Sequence, residues 1–168
     1  MDEIAVVDHD PVWRVHFVEE RARLRVALGP LAPVFAHIGS TAVPGLAAKP
    51  VIDILIGARV PPPPWVDLSK CAYEALGERG IPGRYFFRRG RPRSHHLHWV
   101  DLDGALWRRH LDFRDALRSD SRLAARYANL KRCLAGAHFG DREAYSAAKS
   151  AFIEATLTLA ARRPASQG

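Results

Sequence analysis

The chain has 168 residues, 48% of them hydrophobic and 26% charged, which suits a single folded domain over residues 1–168 and excludes wholesale disorder. No apolar run approaches the roughly 20 residues of a membrane helix, and a basic start followed by an apolar stretch is absent, so a cytoplasmic chain with no membrane partner is expected. The net charge of +7 is largely local: five arginines (Arg84, Arg88, Arg89, Arg91 and Arg93) and no acid lie between Ile81 and Val100.

Asp10-Pro11 reads as a helix start. Trp13, Phe17, Leu24 and Leu28 then share one face, and Gly29-Pro30 stops the helix. Val34 to Ile38 reads as a short strand with Phe35 and His37 on one side, followed by the loop Gly39 to Leu46. Val51 to Ile56 is an apolar, β-branched run broken by Asp53, the pattern of a buried central strand. After the stiff connector Pro61–Pro64 a helix is expected through Leu68, Cys71, Ala75 and Leu76. Arg84–Arg88 and Ser94–Val100 read as a hairpin around Gly90-Arg-Pro92. Three helices follow: about Leu106–Leu117, a second with the stripe Leu123, Tyr127, Leu130 and Leu134, and a last one from an Asp141 N-cap through Tyr145, Phe152 and Leu159. The order predicts an α+β fold, a small mixed sheet flanked by helices with a helical C-terminal third. Cys71 and Cys133 have no metal or disulfide spacing and read as small buried hydrophobes.

The chemistry concentrates between His37 and Asp53. A glycine lets backbone N–H groups approach phosphate oxygens, and the hydroxyls of Ser40 and Thr41 stand beside Gly39. Asp53 matters most, because a carboxylate inside an apolar strand costs several kcal/mol, roughly, unless it is paired or metal-bound. A structural salt bridge is the competing role. In the second hairpin strand His96 and His98 point to one face and His95 to the other. Two imidazoles on one face suit zinc, nickel or manganese, contact with phosphate, acid–base work, or packing. Lys49, held extended before Pro50, would neutralise a phosphate or form a surface ion pair. Arg114 should face the sheet, with Asp115 as its ion-pair partner or a phosphate as its ligand. Lys131 and Lys149 lie on helices, where lysines are usually solvated.

The stretch HIGSTAVPGLAAKPVIDILI, His37–Ile56, resembles the signature of the GrpB-like family. Further pieces match it: Asp10-Pro11-Trp13 with Phe17, His95-His96-Leu97-His98, Phe113-Arg-Asp-Ala-Leu-Arg118, Tyr127 with Leu130-Lys131-Arg132, and Tyr145 with Lys149 and Phe152. The resemblance covers about Val7 to Ala160. It implies a branch of the nucleotidyltransferase superfamily, in some bacteria fused behind dephospho-CoA kinase. There a Gly-Ser turn holds nucleotide phosphates, and two acids two residues apart on the next strand hold a divalent metal. Carried over, the turn is Gly39-Ser40 and the first acid Asp53, but the second acid position is Leu55, which cannot bind metal.

The expected activity is therefore nucleotidyltransferase-like, on a nucleotide such as ATP or a nucleotide-activated, phosphorylated small molecule. Asp53, His96 and His98 would be catalytic, with Asp53 also the ligand of Mg or Mn. Gly39, Ser40, Thr41, Lys49, Arg114 and Lys131 would bind the nucleotide. The alternative is a non-catalytic nucleotide- or CoA-binding module that assists a partner enzyme. RNA binding by the Arg84–Arg93 hairpin, with Tyr85, Phe86 and Phe87 interleaved, is a third reading. It is disfavoured because alternating aromatics on a strand more simply form core. Nucleic acid is thus not the expected partner, and the sequence leaves the oligomeric state open.

Overall fold

The computed structural model describes residues 6–64, 66–137 and 142–162, with side chains outside 135–146 and 162. Helix α1 spans Val12–Leu28, and Asp10 Oδ1, just ahead of it, accepts the Val12 N–H at 2.9 Å. Strands β1 (Val34–Ile38) and β2 (Ile52–Ala58) follow, then the two-residue β3 (Glu74–Ala75), β4 (Tyr85–Arg89) and β5 (His95–Asp101). Helices α2 (Ala105–Ser119), α3 (Ser121–Ala137) and α4 (Arg142–Arg162) complete the described chain. The predicted Asp141 cap and the Tyr145 side chain lie outside the described residues.

The strands form one mixed sheet in the order β1-β2-β5-β4-β3. Only the central pair β2/β5 is parallel; the other pairs are antiparallel. The α+β architecture with a helical C-terminal third is as expected. Alternation along the strands splits the core. Ile52, Ile54, Ile56, Leu97 and Trp99 face α1, against Trp13, Phe17, Leu24 and Leu28. Ile38, Leu55 and Val100 face the other way, under Trp107 of α2. A third cluster joins the loop after β1 (Val43, Leu46) to Leu117 of α2 and Tyr127 of α3.

Two expectations need correction. The helix foreseen through Leu68–Leu76 is a single 3-10 turn, Leu68–Cys71, ended by Ala72 at φ 60°. Glu74 and Ala75 leave it to pair with Arg88 and Phe87, so sheet hydrogen bonding overrides the helical spacing. Cys71 is buried as foreseen, but Cys133 is exposed. No helix among the described residues is long and apolar enough to cross a membrane.

Candidate functional site

The register of the central strands builds the site. Asp53 of β2 pairs with His96 of β5, and His98 lies two residues further along the same face. His96 Nδ1 donates to Asp53 Oδ1 at 3.1 Å, and His98 Nε2 makes a longer contact of 3.5 Å with the same oxygen. The Phe86 ring of β4 packs against both imidazoles, with centroids at 5.2 and 5.1 Å. His95 points to the opposite face, where Arg89 Nη2 donates to its Nδ1 at 2.9 Å.

The Gly39-Ser40 turn stands directly on Asp53. Gly39 has φ 70°, and a Cβ there would collide with Asp53 Oδ2 and lie 3.0 Å from its Cγ. Only glycine allows both that backbone conformation and that approach. Ser40 follows, and Lys131 Nζ of α3 donates to Ser40 Oγ at 2.9 Å and to the Ala47 carbonyl. Lys149 of α4 lies within electrostatic reach of Asp53. Asp53, His96, His98, Gly39, Ser40 and Lys131 are thus one cluster, contributed by β2, β5, the loop after β1, and α3.

The electrostatics follow from burial and partners. Burial alone would raise the pKa of Asp53, but the His96 and His98 contacts outweigh it and hold the carboxyl well below the usual range. Its side chain still keeps 26% exposure, so the carboxylate is reachable. Desolvation lowers His98, and it brings Lys131, helped by Lys149 and Arg132, down to about 7. Lys149 is lowered by burial, against the pull of Asp53.

The protein-family model described as GrpB protein matches residues 3–158. The chain belongs to the GrpB family. It is 36% identical to the UPF0157 protein YqkA of Bacillus subtilis, covering 90% of this chain and 46% of that one. It is 30% identical to the glutamate-rich protein GrpB of Alkalihalophilus pseudofirmus, covering 92% and 94%. The crystal structure of GrpB from Enterococcus faecalis matches with a TM-score of 0.79 at 35% identity, over 93% of this chain and 96% of that one. The chain spans under half of YqkA but nearly all of the two GrpB proteins.

Within this GrpB chain the remaining candidates fall elsewhere. Thr41 is buried, and its hydroxyl is occupied: it bonds His37 Nε2 at 3.0 Å and donates to the Val51 carbonyl at 3.3 Å. Lys49 is half-buried in the turn entering β2, where its carbonyl accepts the Val51 N–H at 2.7 Å. Arg114 does face the sheet, as its position on α2 implied. It donates to the His37 carbonyl at 3.2 Å and grips Asp115 at 2.8 and 2.9 Å, at the β1 edge. Leu55 is fully enclosed between Ile38, Val100 and Trp107, so the second acid position of the superfamily pattern is a core site. Among the described residues no group of three His, Cys, Asp or Glu is arranged to hold a metal ion.

Three of the five hairpin arginines are tied to neighbours within the fold, while Arg91 is exposed. Arg84 is buried, stacks over Phe86 at 4.9 Å and donates to the Glu78 and Arg79 carbonyls; Arg88 pairs with Glu74 at 2.6 Å and Arg89 with Glu20 at 2.9 Å. Alternation put the face shared by Tyr85 and Phe87 in the core, but it is Phe86 that is buried, while Phe87 is half-buried and Tyr85 exposed. Sequence reasoning missed His110 of α2, whose ring lies 5.4 Å from His98 and whose pKa burial lowers to about 4. Its place one turn before Arg114 was the available signal. Lys131 is enclosed rather than solvated, against the expectation for a lysine on a helix.

Proposed function

We propose that the Asp53 face is the reaction centre of a nucleotidyltransferase-like enzyme acting on a nucleotide or a nucleotide-activated, phosphorylated small molecule. The observation that carries this reading is the seat of Gly39 on the Asp53 carboxylate. It puts a glycine turn, a serine hydroxyl and, through that hydroxyl, Lys131 beside the Asp53–His96 pair. Phosphoryl and nucleotidyl transfer need positioning and charge neutralisation more than covalent chemistry by the protein.

The backbone at Gly39-Ser40 and the Lys131 ammonium would hold the phosphates, with Lys149 offsetting further charge. Asp53, kept ionised, is a weak base; its role is to fix the His96 tautomer through Nδ1, leaving Nε2 to accept the proton of the attacking acceptor. His98 is the second donor that holds Asp53 in place. The residues do not fit a two-ion site, since Leu55 replaces the second acid inside the core. No step is therefore routed through a resident ion, and Mg or Mn would enter as part of the nucleotide complex.

The test is pyrophosphate release from ATP with Mg or Mn, assayed over a panel of phosphorylated acceptors. Release that falls at least 100-fold in Asp53→Asn and in His96→Gln supports transfer. Micromolar binding of ATP or a CoA species without release supports the non-catalytic module instead, the reading that the enclosed Leu55 favours. Release that survives Asp53→Asn removes the site from the chemistry.

A further inference from the structure

A second basic concavity lies at the free edge of β1, away from the Asp53–His96 pair. It encloses about 1040 Å³ between the N-terminal half of α1, the loop after β1, and the corner where α2 meets α3. Four guanidinium groups line it: Arg14 and Arg21 from α1, Arg114 and Arg118 from α2. Among the described residues no carboxylate lines it. Asp115, outside the wall, holds Arg114 and stands 3.9 Å from Arg118. One acid against four arginines leaves a local excess of three positive charges.

Two of these cations are fixed in place. Arg118 donates Nε and Nη2 to the Ala42 carbonyl at 2.9 and 2.7 Å, and Arg114 spans the His37 carbonyl and Asp115. Arg21 lies over the Phe17 ring at 5.8 Å, and Phe17 stacks on His37 at 4.7 Å. Arg14 is exposed, and its charge helps lower the pKa of Arg118. The other half of the wall is apolar: Val18, Phe35, Pro44, Leu117 and the Ala124–Ala125 step of α3.

We infer that this edge concavity is a binding site for an organic phosphate with an apolar or planar body. Guanidinium groups match phosphate oxygens in pairs, the charge excess calls for more than one negative charge, and the apolar wall takes the remainder of the ligand. The site stands whether or not the Asp53 face turns over nucleotide, because it shares no side chain with the Asp53–His96–Lys131 cluster.

The test is calorimetric titration of the full chain at low salt with phenyl phosphate, inorganic phosphate and benzoate. Phenyl phosphate binds at one site, at least fivefold tighter than either of the others, and its affinity falls steeply as salt is raised. The Arg14→Ala/Arg21→Ala double variant, which touches no backbone carbonyl and keeps the fold, loses at least tenfold. Lys131→Met and Asp53→Asn bind phenyl phosphate as the parent does. The inference is overturned if phenyl phosphate does not bind at millimolar concentration, or if binding survives the double arginine variant. It is equally overturned if Lys131→Met, rather than the arginine changes, removes binding. Failure of pyrophosphate release in the ATP assay leaves these outcomes untouched, so the two readings fail separately.

Discussion

A carboxylate packs on each face of the sheet, Glu20 from α1 and Asp53 from β2, and the two are treated in opposite ways. On the α1 face Glu20 is 4% exposed and saturated by permanent partners: Arg23 at 3.1 Å, Arg89 at 2.9 Å and the Tyr73 hydroxyl at 3.0 Å. That hydroxyl, buried beside a negative charge, is pushed well above the usual phenol range. On the α2 face Asp53 is 26% exposed, held by two imidazoles and a neighbouring lysine, and faced by a glycine. Arginine does not change its charge in a working pH range, whereas histidine and a desolvated lysine do. Glu20 is therefore a brace between α1 and the hairpin, and Asp53 sits where protons and charged ligands can exchange. The same comparison explains Arg89, which turns in from the hairpin to neutralise Glu20.

The largest expected effect comes from a third carboxylate that has neither kind of partner. Leu55→Asp would place a charge in the core against Ile38, Val100 and Trp107. It restores the superfamily's second acid on paper, but the unpaired charge and the lost packing together cost upwards of about 5 kcal/mol. The variant is expected in the insoluble fraction, or unfolded by circular dichroism. A folded Leu55→Asp protein that gains Mg-dependent activity would break the comparison.

Next is Glu20→Gln, which leaves Arg23 and Arg89 facing an uncharged acceptor in a dry site. Breaking a buried ion pair from one side costs about 3–5 kcal/mol, on the order of 10 °C in Tm for a chain of this length. Asp53→Asn keeps an acceptor oxygen for His96 in a half-open site, and its loss should be less than half as large by urea denaturation. Equal losses would make Asp53 a second brace and remove the argument for a reactive face.

Acid acts on both faces. Burial lowers His37, His95 and His110 from 6.5 to about 4. Between those values the unfolded chain takes up protons that the folded chain refuses, so stability falls as pH drops from 6.5 toward 4. Each group contributes on the order of 2–3 kcal/mol by the conversion of pKa shift to free energy. Urea midpoints at pH 4.5 and 7 measure the sum. His95→Gln and His110→Gln should each remove one share, the first on the Glu20 face and the second on the Asp53 face.

The legible part of this molecule was local. The β-branched run around Asp53 and the period-two spacing of His96 and His98 suffice to put three side chains on one face, and the register delivers them. The Glu20 brace had no such signal, because its partners Tyr73 and Arg89 come from 53 and 69 residues away. Lys131 shows the middle case. Its contact with Ser40 spans 91 residues, yet Tyr127, Lys131 and Leu134 are all buried at helical spacing, so a lysine stood in an apolar stripe. The stripe read as Leu123, Tyr127, Leu130 and Leu134 passed over it because lysine is expected outside. Leu68–Leu76 failed differently: its apolar spacing is helical, but strand pairing with β4 outweighs a propensity worth only tenths of a kcal/mol per residue, roughly.

The last effect is specific to the Asp53 face. Lys131 falls from 10.5 to about 7 on folding, so between pH 7 and 10.5 the folded chain holds fewer protons than the unfolded one. Stability should rise with pH across that window, and Lys131→Met should flatten the rise. An anion bound at the Gly39-Ser40 turn reverses the preference, since a phosphate 3–4 Å or so from Nζ favours the ammonium by Coulomb attraction. ATP binding at pH 8 is then accompanied by uptake of up to about one proton, read from calorimetry in two buffers of different ionisation enthalpy. In Lys131→Met that uptake disappears, whereas in Arg14→Ala/Arg21→Ala it stays. Uptake that persists without Lys131 would mean the phosphates lie elsewhere, and the desolvated lysine would then be only a costly strut between α3 and the turn.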